Sequence, residues 1–309
     1  MQTAALIVAA GMSSRMGQFK PMMPLGSISV AQRVIATLHQ AGIRKIVMVT
    51  GYQAETLERH LSGSGIIFLR NEHYASTQMF DSAKIGLAYL QDKCDRVLFT
   101  PVDIPLFTAH SVQALMNCEA SLARLSYQGR HGHPILIGCS QIPQILQDRG
   151  DGGLRSALRR CSAELQGVPV DDPGILLDAD TPEDFSALVK YHNSQLVRPV
   201  VSVSLHKETL FFDSKIALLL TLIDETSSVR TAGQRMQLSY SSCWNIIRTL
   251  ENQIQAPLIT RTQGGPGGST STLTDQGKRL LECYSAYEQR IQSLAADLYD
   301  EYFGQLFLK

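Results

Sequence analysis

Ala4-Ala5-Leu6-Ile7-Val8-Ala9-Ala10-Gly11-Met12-Ser13-Ser14-Arg15-Met16-Gly17-Gln18-Phe19-Lys20 decides how the first two-thirds of the chain is read. The stretch opens with an uninterrupted apolar run, the pattern of a parallel strand buried on both faces. A loop of small and polar residues then begins at Gly11. Such a loop leaving a strand aims several backbone N–H groups at one anion. Arg15 and Lys20 add two positive charges, and Gly17 lets the backbone approach a ligand closely. The physical reading is a triphosphate cradle; an ordinary strand-to-helix turn with surface charges is the alternative. Lys20 does not directly follow Gly17, so the loop is not of the Walker A type, and it carries no GxGxxG spacing.

Outward from this stretch, strands and helices alternate. Residues 28–42 read as a helix, with Val30, Val34, Ile35, Leu38 and Ala41 on one face and Gly42 at its end. Residues 45–50 read as a strand closed by Gly51, 55–61 as a short helix and 65–69 as a third strand. A helix follows over 80–90 and a fourth strand over 96–100. This alternation predicts an α/β fold, a parallel sheet with helices on both faces. Ligands of such sheets bind beyond the carboxyl ends of the strands. The Gly11 loop and Pro101-Val102-Asp103 should therefore meet there.

Asp103, bracketed by Pro101 and Pro105, is a strand-end carboxylate suited to holding Mg²⁺ beside a triphosphate, with helix capping as the alternative. A second acidic cluster runs from Asp178 to Asp184. Thr181 and Pro182 read as the start of a helix, and Glu183 and Asp184 as carboxylates at its positive end. Asp178 and Asp180 share one side of the extended segment before it. One of them would complete the metal shell with Asp103, Asp180 being preferred. Arg130-His131-Gly132-His133-Pro134 holds two histidines, too few at this spacing for a zinc site.

The loop string resembles that of the molybdenum cofactor nucleotidyltransferases, AAGxSxRMGxxK, at every defined position. Ala9-Ala10-Gly11 is similar to the cytidylyltransferase branch, whereas the guanylyltransferase branch carries Gly-Gly there. The family has Gly-Asp-x-Pro where this chain has Val102-Asp103-Ile104-Pro105. It also has a Gly-His-Pro segment, here Gly132-His133-Pro134, and an Asp-x-Asp-Thr-Pro-Glu-Asp string matched in full by 178–184. The resemblance implies a Rossmann-like, GT-A-like nucleotidyltransferase domain with a mostly parallel sheet over residues 1–193. It implies nucleotide contacts from Ala9, Ala10, Gly11, Ser13, Arg15, Gly17 and Lys20, and catalytic roles for Arg15, Lys20 and Asp103. Mg²⁺ would sit on Asp103 and Asp180. Acceptor contacts would come from His133 and from Ser82, in a segment 78–82 placed ahead of a helix. Asp81 departs from the Ser usual there. The implied reaction joins CMP from CTP to the molybdopterin molybdenum cofactor and releases pyrophosphate.

Composition changes near residue 193, and a linker is expected over 193–199. Residues 200–205 alternate like a strand. Residues 216–223 are apolar, 229–236 read as a short helix and 239–254 as a longer one, the pair forming a helix-turn-helix. On the longer helix Trp244, Ile247, Leu250 and Ile254 share the core side, with Trp244 expected in the core. Ser241, Ser242, Asn245, Arg248, Thr249 and Asn252 share the other side, the residue types that bond base edges and phosphates. Six basic residues stand against two acidic ones between 228 and 281, a local positive face. A glycine-rich loop at 264–268 follows Arg261, and 276–302 reads as one long helix.

The strings 238–244 and 262–268, with Leu273, Thr274 and Gly277, resemble the winged helix-turn-helix of the ModE-type molybdate regulators. That resemblance implies a mainly α DNA-binding domain over 200–309, with contacts from Ser241, Ser242, Asn245, Arg248, Thr249 and Arg261. The apolar faces of 213–223 and 280–302 are expected to form a homodimer. A regulator whose transferase domain only senses nucleotide or cofactor is the second reading.

At 309 residues the chain has room for two cores. Formal net charge is zero, so no global bias towards nucleic acid or membrane is present. No apolar run reaches the length of a membrane span. No basic segment precedes the first apolar run, as a signal peptide would require. The six cysteines form no CxxC pair, which suits a reducing compartment, and the expected location is the cytoplasm.

Overall fold

The structure is a computed structural model that describes residues 1–12, 18–178, 181–194, 201–262 and 270–303. The chain folds as two compact units, one of residues 1–61 and 67–195, the other of the remaining residues.

In the first unit, β1 (Thr3–Ala9) is followed by the small hairpin β2 (Pro24–Leu25) and β3 (Ile28–Ser29). Then come α1 (Val30–Gln40), β4 (Lys45–Thr50), α2 (Ala54–His60), β5 (Ile67–Arg70), α3 (Met79–Leu90) and β6 (Arg96–Pro101). The remainder is α4 (Ala109–Met116), β7 (Leu122–Tyr127), β8 (Arg130–Gly138), α5 (Ile142–Gln147), α6 (Gly153–Arg160), β9 (Leu165–Pro169) and α7 (Pro182–Ser194). Seven strands form one sheet in the order β5-β4-β1-β6-β8-β7-β9. β5, β4, β1 and β6 run parallel, as does β9 to β7, and β8 alone is antiparallel to both its neighbours.

Every residue of β1 and β4 is buried, which is why their sequences are continuous rather than alternating apolar runs. α1 starts at Val30 rather than at 28 because Ser29 caps it. Gln32 N donates to Ser29 Oγ at 3.2 Å and Ser29 N donates to Gln32 Oε1 at 2.9 Å, a reciprocal capping box. The third strand is 67–70 rather than 65–69, with Gly65 at φ +64° outside it. β8 is antiparallel because Gln128 and Gly129, both at positive φ, make a two-residue turn after β7.

The second unit comprises β10 (Ser204–His206), β11 (Leu210–Asp213), α8 (Ser214–Thr226), α9 (Val229–Arg235), α10 (Tyr240–Ile254), β12 (Ile259–Thr262), β13 (Thr270–Leu273) and α11 (Asp275–Phe303). The strand expected over 200–205 is displaced to Ser204–His206, where β11 supplies its antiparallel partner. Phe212, Leu219, Leu222, Ile223, Ile247 and Leu250 form the core. Tyr284 of α11 joins it, its ring 4.9 Å from Phe212 and its hydroxyl donating to Val203 O at 2.8 Å. β12 and β13 pair antiparallel; the glycine-rich loop 264–268 lies outside the described residues.

Two glycines set the closest helix approaches. In the helix-turn-helix, a Cβ at Gly233 would stand 2.7 Å from Cys243 Sγ, so the backbone of α9 packs directly on the Cys243 side chain of α10. In the first unit, a Cβ at Gly86 would fall inside the Leu6 side chain on β1. Gly86→Ala gains at most about 1 kcal/mol in helix propensity but overpacks a fully buried site, which costs about 1–3 kcal/mol. The expected outcome is a lowered melting temperature for the first unit; a raised one would show that α3 can lift off β1 without cost.

Candidate active site and nucleic-acid interface

Val8 of β1 lies opposite Pro101 of β6, and Val102 N donates to Val8 O at 3.0 Å. The two following loops therefore emerge side by side. A cleft opens there, lined by Ala9, Ala10, Gly11, Lys20, Pro21, Pro101, Val102 and Asp103, and by Tyr74, Thr77, Gln78, Met79 and Ser82. Lys20 is buried, and its Nζ stands 3.8 Å from Asp103 Oδ2. The structure thus brings together Ala9, Ala10, Gly11, Lys20, Ser82 and Asp103. Ser13, Arg15 and Gly17 lie outside the described residues, as does Asp180.

Asp178 is exposed, and the helix start after it is built as expected. Thr181 N donates to Asp184 Oδ2 at 2.9 Å and Asp184 N to Thr181 Oγ1 at 3.2 Å. Among the described residues, no three His, Cys, Asp or Glu side chains cluster as a metal site of their own. Mg²⁺ beside a nucleotide needs only one or two carboxylates, since phosphates and waters fill its shell. Asp103, on the cleft wall with 30% of its side chain exposed, fits that partial role.

The other wall includes the expected Ser82, and it is organised by Asn71, which the sequence reading does not single out. Asn71 is buried, takes its place through N donating to Thr50 O at 2.8 Å, and donates from Nδ2 to Thr77 Oγ1 at 2.8 Å and Ser82 Oγ at 3.0 Å. Its Oδ1 accepts from His73 N at 3.0 Å. One side chain therefore fixes both ends of the 71–82 segment. The preceding residue, Arg70, forks onto the fully buried Glu58 at 2.7–3.2 Å, and Thr50 Oγ1 donates to the same carboxylate at 2.7 Å. That hydrogen bonding raises the proton affinity of Arg70.

Phe19, Tyr52 and Tyr74 run as an edge-to-face chain with centroids 5.7 and 6.2 Å apart, linking the first loop to the 71–82 wall. The backbone at Gly51 passes so close that a Cβ would stand 2.7 Å from Tyr74 Cβ and 2.8 Å from Ala10 O. The segment 78–82 begins α3 rather than preceding it, because Gln78 N donates to Asp81 Oδ2 at 2.9 Å. Asp81 is thereby the acidic member of a capping box whose N-cap is Gln78.

His133 sits on β8, with its ring centroid 5.9 Å from that of Phe99. It is not among the residues lining the cleft. Burial lowers its pKa to about 4, so the imidazole is neutral at pH 7. Among the described residues its Nδ1 is buried without a hydrogen-bond partner, and the nearby Phe99 backbone offsets only part of the effect of burial.

In the second unit, Ser241, Asn245, Arg248 and Thr249 share an exposed face of α10, and Cys243, Ile247 and Leu250 share the buried one. Ser242 is half-buried, with its hydroxyl 2.7 Å from that of the capping Ser239. Trp244 is not in the core. It is half-buried on the flank, and Arg261 stacks over its ring at 3.4 Å. Cys243 takes the core position instead.

Residues 5–166 match the family model described as MobA-like NTP transferase domain, more than half of the chain. The chain belongs to the MobA-like NTP transferase family. Residues 217–278 match the bacterial regulatory helix-turn-helix proteins of the lysR family. The molybdenum cofactor cytidylyltransferase of Escherichia coli (strain K12) is 32% identical over 182 residues, covering 58% of this chain and 92% of that protein. The molybdenum transport protein ModE of Azotobacter vinelandii is 36% identical over 85 residues, 28% of this chain. The chain spans only 31% of that protein's length. A nucleotidyl transferase from Methanothermobacter thermautotroptrophicus shares the fold, with TM-score 0.55 at 21% identity over 62% of this chain and 98% of that one. The first unit is thus a nucleotidyltransferase domain and the second carries a DNA-binding helix-turn-helix. Among the described residues no helix is long and apolar enough to cross a membrane.

Asn71→Ala removes the clamp on the 71–82 wall and leaves Thr77 and Ser82 without their donor. The unmade bonds amount to about 1–3 kcal/mol, so the Michaelis constant for nucleotide should rise about tenfold or more with turnover at saturation little changed. Steady-state kinetics decides this, and an unaltered Michaelis constant would mean that the wall holds its shape without Asn71.

Proposed function

We propose that the chain transfers CMP from CTP to the terminal phosphate of the molybdopterin molybdenum cofactor, releasing pyrophosphate, and that its second unit regulates transcription in molybdenum metabolism. The carrying observation is the pairing of Lys20 with Asp103 across two loops that leave adjacent buried strands. A triphosphate laid in the cleft would draw Lys20 towards its phosphates and leave the Asp103 carboxylate for a cation. Asp103, with Asp180, would hold Mg²⁺, which supplies charge neutralisation on the triphosphate when bound. The backbone of Ala9-Ala10-Gly11, with Arg15, orients the phosphates, and the wall held by Asn71 carries the base. The acceptor approaches from the His133 side of the sheet. The likeness to the cytidylyltransferase of Escherichia coli supports this substrate pair.

Ala9 and Ala10 are among the residues lining the cleft, and the likeness of Ala9-Ala10-Gly11 to the cytidylyltransferase branch supports CTP. In the second unit, Ser241, Asn245, Arg248 and Thr249 face solvent together, and Arg261 stands beside them. The likeness to ModE supports a molybdenum-related operator. α11 exposes Tyr287, Leu294, Leu298 and Tyr302 in one stripe at helical spacing, which supports a homodimer. A transferase domain that only senses its ligands is the second reading, favoured if Asp103 and Lys20 bind nucleotide without turnover.

Product analysis with molybdopterin cofactor, Mg²⁺ and each nucleoside triphosphate in turn should yield the cytosine dinucleotide. Equal turnover of GTP would overturn the assignment to CTP, and binding without any product would favour the sensor. Asp103→Asn should lower transfer by several orders of magnitude with the melting temperature retained; near-normal turnover in saturating Mg²⁺ would place the metal elsewhere.

A further inference from the structure

The flank of α10 carries an arrangement that neither the core nor the exposed polar face explains. Tyr240 and Trp244 stand one turn apart, between the buried Cys243–Ile247 side and the Ser241–Asn245–Arg248 side. Their rings meet edge to face, 6.1 Å apart at 78°. The Arg230 guanidinium of α9 lies 5.2 Å from the Tyr240 ring centroid, and that of Arg261 on β12 lies 3.4 Å from the Trp244 ring centroid. Tyr240 is 49% exposed, and both arginines are exposed. A ladder cation–ring–ring–cation therefore crosses three elements: the helix before the recognition helix, that helix, and the strand after it.

This arrangement has a cost that packing does not return. Tyr240 remains half in water, and among the described residues Trp244 Nε1 is buried without a hydrogen-bond partner. Among the described residues neither Arg230 nor Arg261 forms an ion pair with a carboxylate. An aromatic face attracts a guanidinium by its quadrupole without neutralising it. Both guanidiniums are exposed, so their N–H donors remain accessible to an oxyanion, which a guanidinium can bind in bidentate fashion. The ligand chemistry is thus a phosphodiester backbone touched at two points.

We propose that Arg230, Tyr240, Trp244 and Arg261 form a two-headed phosphate clamp on duplex DNA, in which Tyr240 and Trp244 are positioning residues that hold the two guanidiniums at fixed places on either side of the recognition helix. The proposal rests on the DNA-binding reading of the second unit and adds to it the residues that set register on the backbone. In this clamp Trp244 fixes β12 to α10, so that Arg261 approaches the duplex already ordered.

The test uses the full chain and a labelled mixed-sequence duplex, titrated by anisotropy from low to physiological salt. Removing one phosphate contact should lower the slope of log affinity against log salt by about 0.9. Arg230→Ala and Arg261→Ala should each lower it by that amount. Trp244→Leu should reproduce Arg261→Ala, the double variant Trp244→Leu with Arg261→Ala should lose no more than either, and Trp244→Phe should restore most of the slope. Trp244 is the single tryptophan of the chain, so its emission reports on the stack directly. Arg261→Ala should change that emission in free protein, and duplex should change it in wild type. Unchanged slopes in both arginine variants, with duplex still bound, overturn the clamp and leave the DNA-binding reading intact. Additive losses in the double variant overturn the positioning role of Trp244. Failure of wild type to bind duplex at low salt overturns the DNA-binding reading and the clamp with it, and preference for single strand over duplex of equal length overturns the duplex assignment.

Discussion

Val8 opposite Pro101, in a parallel pair of strands buried on both faces, is the constraint from which the cleft follows. Neither β1 nor β6 can slip by one residue without turning a whole row of core side chains to the other face. The register therefore fixes where the chain leaves the sheet after Ala9 and after Pro101. Those exits set the Gly11 loop beside Asp103 and bring Lys20 within 3.8 Å of it. The charge pair is a consequence of apolar packing in the strands beneath it, not of its own attraction. At 3.8 Å the pair is longer than a hydrogen-bonded ion pair, and a charged ligand entering the cleft would compete for both partners.

The same logic extends to the far wall through polar groups instead of apolar ones. Glu58 is fully buried, and its carboxylate accepts from Thr50 at the end of β4 and Arg70 at the end of β5. A buried charge without partners would be expensive, so α2 and two strand ends are tied to one point. Asn71 follows Arg70 directly and inherits that fixed position. Its side chain then sets Thr77 and Ser82, and the cleft wall is as rigid as the strand ends beneath it.

Some of this is legible in the sequence and some is not, for physical reasons. The runs at 4–8, 45–50 and 96–100 are largely apolar and do not alternate, and buried central strands are what tolerate that. Asp103 is legible because a carboxylate between prolines at such a strand end is unusual. Asn71 is not, since a lone Asn after a strand reads as a turn residue, and its burial emerges only when Thr77 and Ser82 fold back onto it. The β7–β8 hairpin escapes a sequence reading because Gln128-Gly129 carries positive φ at a Gln, a weaker signal than Asn-Gly or Asp-Gly. Helical periodicity places Trp244 near Ile247 and so assigns it to the core, and no single-helix pattern reveals that Arg261 of β12 covers its ring. Cys243, smaller and adjacent, fits against Gly233 where an indole would not.

The two units hold their cations in opposite ways, and that difference matches what each must do. Lys20 faces a carboxylate, so a polyanion entering the cleft competes with Asp103 for it. Such exchange suits a site that should accept a triphosphate and release a pyrophosphate in every cycle. Arg230 and Arg261 face aromatic rings, which order a guanidinium and leave its charge undiminished. That suits a surface meant to stay engaged with a long polyanion. The whole chain carries no net charge, so diffuse attraction to nucleic acid is weak. Attraction then rests on the local excess of basic residues between 228 and 281, and aromatic support is a way to fix two of those cations without a neutralising acid beside them.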